Sequence, residues 1–309
     1  MSETSPTLTL SEKIAALGGV ELREHEPMAR HVSMGVGGPA RWFAVAGDEA
    51  ALSGLLALLR PCATPWLILG GGSNTLFTSA GYEGVVVSLG KAFKTMAPGP
   101  GPDQITAGGA APLSAVVNLA KRERLSGLEF AAGIPGQLGG ALAGNAGTAA
   151  GEVCPLVETV ELIDAGGQRL VAARGAFAYG YRHSSLRQGV ILRATLQLRG
   201  DDPEAIQARI DAALAKRGEQ PLGVRTSGCM FKNPPGDTAG RLIDAAELKG
   251  ERIGGARISQ QHANFMINDG TASAEDIQAL VERVRARVRQ RHGVNLELEV
   301  RMVGLDLAP

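Results

Sequence analysis

Apolar positions along the chain follow two periods. In DEAALSGLLALLRP (48–61) acidic residues open a run of apolar positions at helical spacing and Pro61 closes it, which predicts a helix. WLILG (66–70) and EGVVVSL (83–89) read as short buried strands, and LSAVVNLAKRERL (113–125) as a second helix. This βαβ-like rhythm predicts an α/β unit. From 156 to 199 the period falls to two: VETVELIDAGGQRLVAA reads as a hairpin around Gly166 and Gly167, and VILRATLQLRG as an alternating strand. A helix over 201–218 follows, opened by Asp201 and Asp202, with Pro203 near its first position and Gly218 past its end. Its arrival after a strand-rich block places a domain boundary near residue 200. In SAEDIQALVERVRARVRQRHG, Ser273 is the N-cap and Asp276 lies three residues on. Ile277, Leu280, Val281, Val284 and Val288 share one helical face. NLELEVRMVG sets Leu296, Leu298, Val300 and Met302 on one strand face and Glu297, Glu299 and Arg301 on the other.

Charge and composition narrow the classes. Lys+Arg and Asp+Glu each count 31 in 309 residues, so no net field recruits nucleic acid or an anionic membrane. The arginines of 283–291 therefore read as a solvated helix face. Cys62, Cys154 and Cys229 are far apart and no CxxC occurs, which argues against a disulfide framework or a metal site. The first residues lack a basic segment followed by an apolar one, and no apolar run approaches the roughly 18 residues of a membrane span. A soluble cytoplasmic protein without membrane insertion is expected. Glycine is frequent, at 42 residues, as where backbone turns tightly or approaches a ligand closely.

The glycines concentrate in segments that suit an anion. Gly70, Gly71, Gly72, Ser73 and Asn74 follow the strand WLIL directly, and successive N–H groups of such a turn can cradle a phosphate. It is neither GxGxxG nor a Walker motif. GLEFAAGIPGQLGGALAGNAG (127–147) offers small residues with almost no polar side chain besides Gln137 and Asn145, and GVGGPARW (35–42) is a third such stretch. Each has a plainer reading, as a glycine turn or a tightly packed small-residue helix; two cradles in one chain fit a dinucleotide better than either does alone. Arg182 in GYRHSSLR suits a carboxylate or phosphate but also a structural ion pair. Glu299 could simply belong to the polar face of an edge strand, Lys232-Asn233-Pro234 to a turn, and Cys229 to the core.

Taken together, ILGGGSNTLF, GLEFAAGIPGQLGGALAGNAG, YGYRHSSLR, GCMFKNP, RLIDAAELKGERIGGARIS, HANFMIN and LELEVRMVG resemble the UDP-N-acetylenolpyruvoylglucosamine reductases, in family order from about 28 to 304. The resemblance implies an α+β protein. An FAD-binding domain of the vanillyl-alcohol-oxidase type (28–200, subdomains about 28–92 and 93–200) would follow an N-terminal helix or arm (1–27) and precede an α/β substrate-binding domain (201–309). It implies NADPH-dependent, FAD-mediated reduction of the UDP-N-acetylglucosamine enolpyruvyl ether for peptidoglycan, by a monomer holding FAD noncovalently. Carried over by motif position, Arg182 activates the enolpyruvyl carboxylate and Glu299 is the catalytic glutamate. Cys229 stands where serine usually donates the proton. Gly70, Gly71, Gly72, Ser73, Asn74, Gly133, Pro135, Gly136, Gly140 and Asn145 would hold FAD, and Tyr181, Lys232, Asn233 and His262 the substrate. Lys232 is expected to lower the Cys229 thiol pKa, and Glu299 or substrate to offset it.

The chain departs from the family at Gln137 (commonly threonine), Thr148 (often tyrosine) and Arg225 (frequently proline). No tyrosine-bearing insertion stands between Leu198 and the helix at 203, as in the shorter subclass. Two other functions stay open at this level. A flavin oxidase of the same superfamily would be marked by covalent attachment, for which His31 is one candidate. A nucleotide-binding regulatory module would have no turnover.

Overall fold

The computed structural model describes residues 8–164 and 166–304. Helix α1 (Leu10–Ala15) carries a capping box between Thr9 and Glu12 and buries Ile14. The strand Val20–Pro27 then pairs antiparallel with Pro39–Ala46. Pro39–Ala46 and Trp66–Ile68 both run parallel to Tyr82–Leu89, which completes a four-stranded sheet. Helix α2 (Glu49–Leu59), capped by Asp48, covers one face with Leu52, Leu55, Leu56 and Leu59. Of the segment expected as an N-terminal helix or arm, residues 10–15 form the helix, residues 20–27 contribute an edge strand to this sheet and Ile14 joins its core.

The second unit is a five-stranded antiparallel sheet in the order Arg169–Ala173, Val157–Ile163, Val190–Gln197, Gln104–Gly108, Met96–Pro98. The expected hairpin over 157–173 is present, although Ala165 in its turn lies outside the described residues. Helices α3 (Leu113–Arg122) and α4 (Leu138–Ala143) pack into its core. Helix α5 (Pro203–Gly218) has Asp202 as its cap and includes Gly218 rather than stopping before it. The boundary expected near 200 is corrected by packing. Ile206 and Ile210 of α5 are buried in the core of this second unit, beside Leu128 and Phe130. Each such side chain contributes about 1.5–3 kcal/mol by leaving water, so α5 is bound to the preceding half, not the following one.

The third unit holds α6 (Ala239–Ala245), α7 (Ala274–His292) and the antiparallel strands Arg252–Ile253, Ala256–Ile258 and Met266–Asn268. The sequence-predicted face of α7 is the buried one, with the Ser273–Asp276 capping box at its start and left-handed Gly293 at its end. Met34, Val36 and Leu76 of the first unit share this core, so the units are welded rather than strung. The last segment does not form one long strand. Residues 297–299 bond across to 230–232, where the Glu299 N–H donates to Met230 O and the Lys232 N–H to Glu297 O. Arg301–Val303 then pairs parallel with Thr75–Phe77.

Candidate active site

Two glycine loops face each other. Gly70–Asn74 leaves the end of Trp66–Ile68, and its Gly71 lies so near the turn at 133–137 that a Cβ there would come 3.1 Å from Gly136 Cα. Gly72 has φ +64 and its backbone is pressed on His31, where a Cβ would fall 1.9 Å from the carbonyl oxygen; only glycine fits. Among the described residues, no backbone N–H from Gly70 to Asn74 donates to a protein acceptor, while Gly70, Gly71 and Asn74 are exposed. Five successive free N–H groups on a glycine turn form a nest with the chemistry of a diphosphate receptor. Gly133, Pro135 and Gly140 are exposed on the facing segment.

The side chains of these loops mostly knit the protein to itself. Ser73 Oγ donates to Pro135 O at 3.4 Å, and Asn74 Nδ2 to Glu299 O at 3.1 Å. The donors this loop leaves free are therefore its backbone amides. Asn145, also expected at the cofactor, has 0% of its surface exposed. Its Nδ2 donates to Glu152 Oε2 at 2.8 Å and Gly180 O at 2.9 Å, and its Oδ1 accepts from the Cys154 N–H at 3.1 Å. That side chain presents no surface to a ligand. The third glycine stretch is likewise consumed by packing, because a Cβ on Gly38 would sit 2.0 Å from Ser79 O.

The polar constellation stands on three segments. Tyr179–Gly180 and His183–Ser184 pair as a two-residue hairpin whose tip is Tyr181 and Arg182. Arg182 takes φ +55, a left-handed conformation costly for arginine. Its Nε lies 2.7 Å from Glu299 Oε1 with both side chains mostly buried. The N–H is not aimed at an acceptor, so charge rather than a hydrogen bond holds the pair. Burial pushes the Glu299 carboxyl above its ordinary value, with Arg182 and then Lys232 opposing. Cys229 sits on the segment paired with Phe265, and its thiol is pushed up to about 11, first by burial and next by the Glu299 charge. Arg182 and Arg217 pull the other way and Lys232 is not among the causes. The expected Lys232–thiol coupling is corrected: the Lys232 ammonium is taken by Glu297.

Tyr181 accepts the Asn233 N–H at 3.2 Å through its hydroxyl and lies under the Arg182 guanidinium, so the hairpin tip touches the third unit. Asn233 Oδ1 accepts the Ala239 N–H at the start of α6. His262 is not brought to the Arg182–Glu299 pair. It packs on Phe265 and Gly240, accepts the Asn264 N–H through Nδ1, and burial lowers its pKa. Arg217 was missed by sequence reasoning: it donates from Nε to Gly133 O at 2.9 Å and its charge reaches Cys229 and Arg182. In the sequence it is one of two basic residues ending a helix, the usual complement to a helix dipole, and gives no further signal. Of the candidates for covalent flavin attachment, His31 Nε2 faces Glu26 at 2.8 Å. The Cys62 and Cys154 thiols donate to Leu58 O and Leu142 O.

Residues 220–303 match the profile of the UDP-N-acetylenolpyruvoylglucosamine reductase C-terminal domain, and 40–173 that of an FAD-binding domain. The reductase of that name from Geotalea uraniireducens is 43% identical over 300 residues, spanning 96% of this chain and 99% of the relative. The Geobacter metallireducens reductase is 45% identical over 293 residues, 94% and 96% of the two chains. The chain belongs to the UDP-N-acetylenolpyruvoylglucosamine reductase family. The crystal structure of the Thermus caldophilus reductase superposes with a TM-score of 0.79 at 36% identity, covering 92% of this chain and 98% of that one. An α+β fold, an FAD-dependent oxidoreductase and a place in peptidoglycan synthesis follow from that membership. The free amide nest and the bare glycine surface facing it fit the diphosphate of an FAD. No helix among the described residues is long and apolar enough to cross a membrane, and no group of three or more His, Cys, Asp or Glu could hold a metal.

Proposed function

We propose that this chain reduces the enolpyruvyl ether of UDP-N-acetylglucosamine to UDP-N-acetylmuramate with electrons from NADPH, through noncovalently held FAD. The observation that carries the reading is the meeting of Arg182, Glu299 and a protonated Cys229 beside two glycine loops. Bound FAD supplies the hydride. The amides of Gly70–Asn74 would hold its diphosphate, with the 133–140 segment as the opposite wall.

The enolpyruvyl double bond is electron-rich and accepts hydride poorly until its carboxylate is polarised. The Arg182 guanidinium grips that carboxylate and stabilises the enolate-like charge as it develops. Glu299 holds the guanidinium in place across a 2.7 Å contact. Cys229 then delivers a proton to the adjacent carbon from a fixed direction. Its thiol, held near 11, keeps that proton at neutral pH even with two guanidiniums near it. Lys232 and Asn233 would meet the UDP-sugar, with the Tyr181 hydroxyl bonded to the Asn233 N–H. The reading takes the enzyme as a monomer, and a nucleotide-sugar substrate with NADPH points to the cytoplasm.

The test separates the two half-reactions without oxygen. The purified protein should be yellow, NADPH should bleach it, and the UDP-sugar enolpyruvyl ether should restore the colour. Arg182→Ala should bleach normally and recover poorly. Normal recovery in that variant, or a protein without colour after FAD supplementation, overturns the reading.

A further inference from the structure

Arg182 stands at a hairpin tip in a strained conformation, and the bonds that fix it there lie beneath the hairpin rather than at its tip. We infer that Asn145 is a positioning residue for Arg182, acting through the carbonyl of Gly180 rather than by touching cofactor or substrate. The inference rests on the reading of Arg182 above, and its test distinguishes the two.

Asn145 is completely buried and takes φ +45, a left-handed conformation that asparagine tolerates better than most residues. One side chain joins three backbone segments. Its Nδ2 reaches Gly180 O in the first strand of the hairpin, two residues before Arg182, and also Glu152 Oε2; its Oδ1 takes the Cys154 N–H. Gly180 pairs with His183, so a fixed Gly180 carbonyl fixes both ends of the two-residue tip. The second strand is anchored nearby, where Ser184 is fully buried and its Oγ accepts the Leu186 N–H. The base is closed by the Ser185 N–H donating to Ala178 O. Apart from the Arg182–Glu299 contact itself, the tip's one hydrogen bond to the third unit among the described residues is to the exposed Tyr181 hydroxyl. With so little holding the tip from above, the buried amide sets where Arg182 meets Glu299. A buried donor set of this kind is costly to break, because each abandoned partner stays without water.

Asn145→Gly accepts the left-handed backbone and removes the side chain with its amide. Peptides spanning 179–184 should then exchange amide hydrogens at least about tenfold faster than in the parent, by mass spectrometry. FAD affinity, read by flavin fluorescence quenching, should stay within about twofold, and so should the rate of bleaching by NADPH. Recovery of colour with the enolpyruvyl ether should slow by about tenfold or more. Adding Asn145→Gly to Arg182→Ala should cause no further slowing, the mark of two residues acting as one unit. Should Asn145→Gly not fold, Asn145→Ser, whose shorter side chain does not reach Gly180 O, carries the same comparisons. Unchanged exchange at 179–184, or loss of FAD affinity with exchange unchanged, overturns the inference. Faster exchange together with a parent-like Arg182→Ala would uphold the positioning and sink the proposed role of Arg182 instead.

Discussion

The thiol of Cys229 offers a quantitative check on the proposed proton donor. Its ordinary value is 9.0 and the folded protein raises it to about 11. At pH 7.5 an ordinary thiol of that kind is about 3% thiolate, whereas one near 11 is only about 0.03%. Alkylation proceeds through the thiolate, so iodoacetamide should inactivate the enzyme about a hundredfold more slowly than a free thiol under the same conditions. The assay is pseudo-first-order inactivation between pH 7 and 10. The rate should climb about tenfold per pH unit with no plateau near 9, Cys229→Ser should resist, and bound substrate should protect. A plateau at or below pH 9 would mean that burial and Glu299 do not hold the proton, and the acid role would fall with it.

Catalysis and stability supply independent readings of the same group. Positioned acids contribute about 10²–10⁴-fold, so Cys229→Ala should lose at least about a hundredfold in the oxidative half-reaction while bleaching by NADPH proceeds unchanged. Cys229→Ser, which keeps an acidic hydrogen in place, should retain substantial activity. The linkage has a definite sign. A thiol whose folded value is raised contributes stability that is fully present below 9 and lost as pH rises through about 11. Cys229→Ser should therefore flatten the fall in unfolding free energy between those values, measured in urea.

Three further substitutions test other parts of the site. Arg182→Gly should be more stable than Arg182→Ala by about 1 kcal/mol in urea, because both lack the ion pair and only glycine accepts φ +55 freely; equal stabilities would remove the strain from the account. Gly71→Leu should yield folded but colourless protein by wedging the loop from Gly136, and a yellow variant with parent affinity would relocate the cradle. Glu129→Ala should cost about 1–3 kcal/mol and weaken FAD binding. Glu129 is buried and ties the Gly127 N–H and Arg209 of α5 to the loop leading into Gly133; unchanged FAD affinity would make that network purely structural.

How far the sequence reached depended on whether the deciding contact was local. The Ser273–Asp276 capping box, the buried face of α7 and the Asp202 cap of α5 are all set within a few residues, and the structure has them. Which core α5 joins is set by Ile206 and Ile210 meeting Leu128 and Phe130, residues some eighty positions away, and no pattern within the helix encodes that. The strand Val20–Pro27 went unread because its outer positions are charged and exposed, so its alternation is faint. Asn145 illustrates the same limit at the site. A lone amide in a glycine-rich run can face a ligand or tie buried backbone, and only Glu152, Cys154 and Gly180 decide between them. Lys232 stands three residues from Cys229 in sequence, yet it pairs with Glu297 and its charge acts on Glu299 rather than on the thiol.

The C-terminal segment makes Glu299 and the Gly70–Asn74 loop one mechanical unit. Glu299 donates its N–H to Met230 O, next to Cys229, and its carbonyl accepts from Asn74 Nδ2 at the end of the amide nest. Two residues on, the Arg301 N–H donates to Asn74 O, and Arg301–Val303 continues as a strand beside Thr75–Phe77. Nest, carboxylate and thiol segment thus hang on one run of backbone hydrogen bonds, while Arg182 approaches from a separate hairpin. Arg182 is the member whose placement depends on a different support, and it is also the one held in a strained conformation. Strain there is tolerable only if the hairpin is fixed from beneath. In the proposed reaction a guanidinium so fixed would meet the substrate carboxylate with little reorganisation left to make.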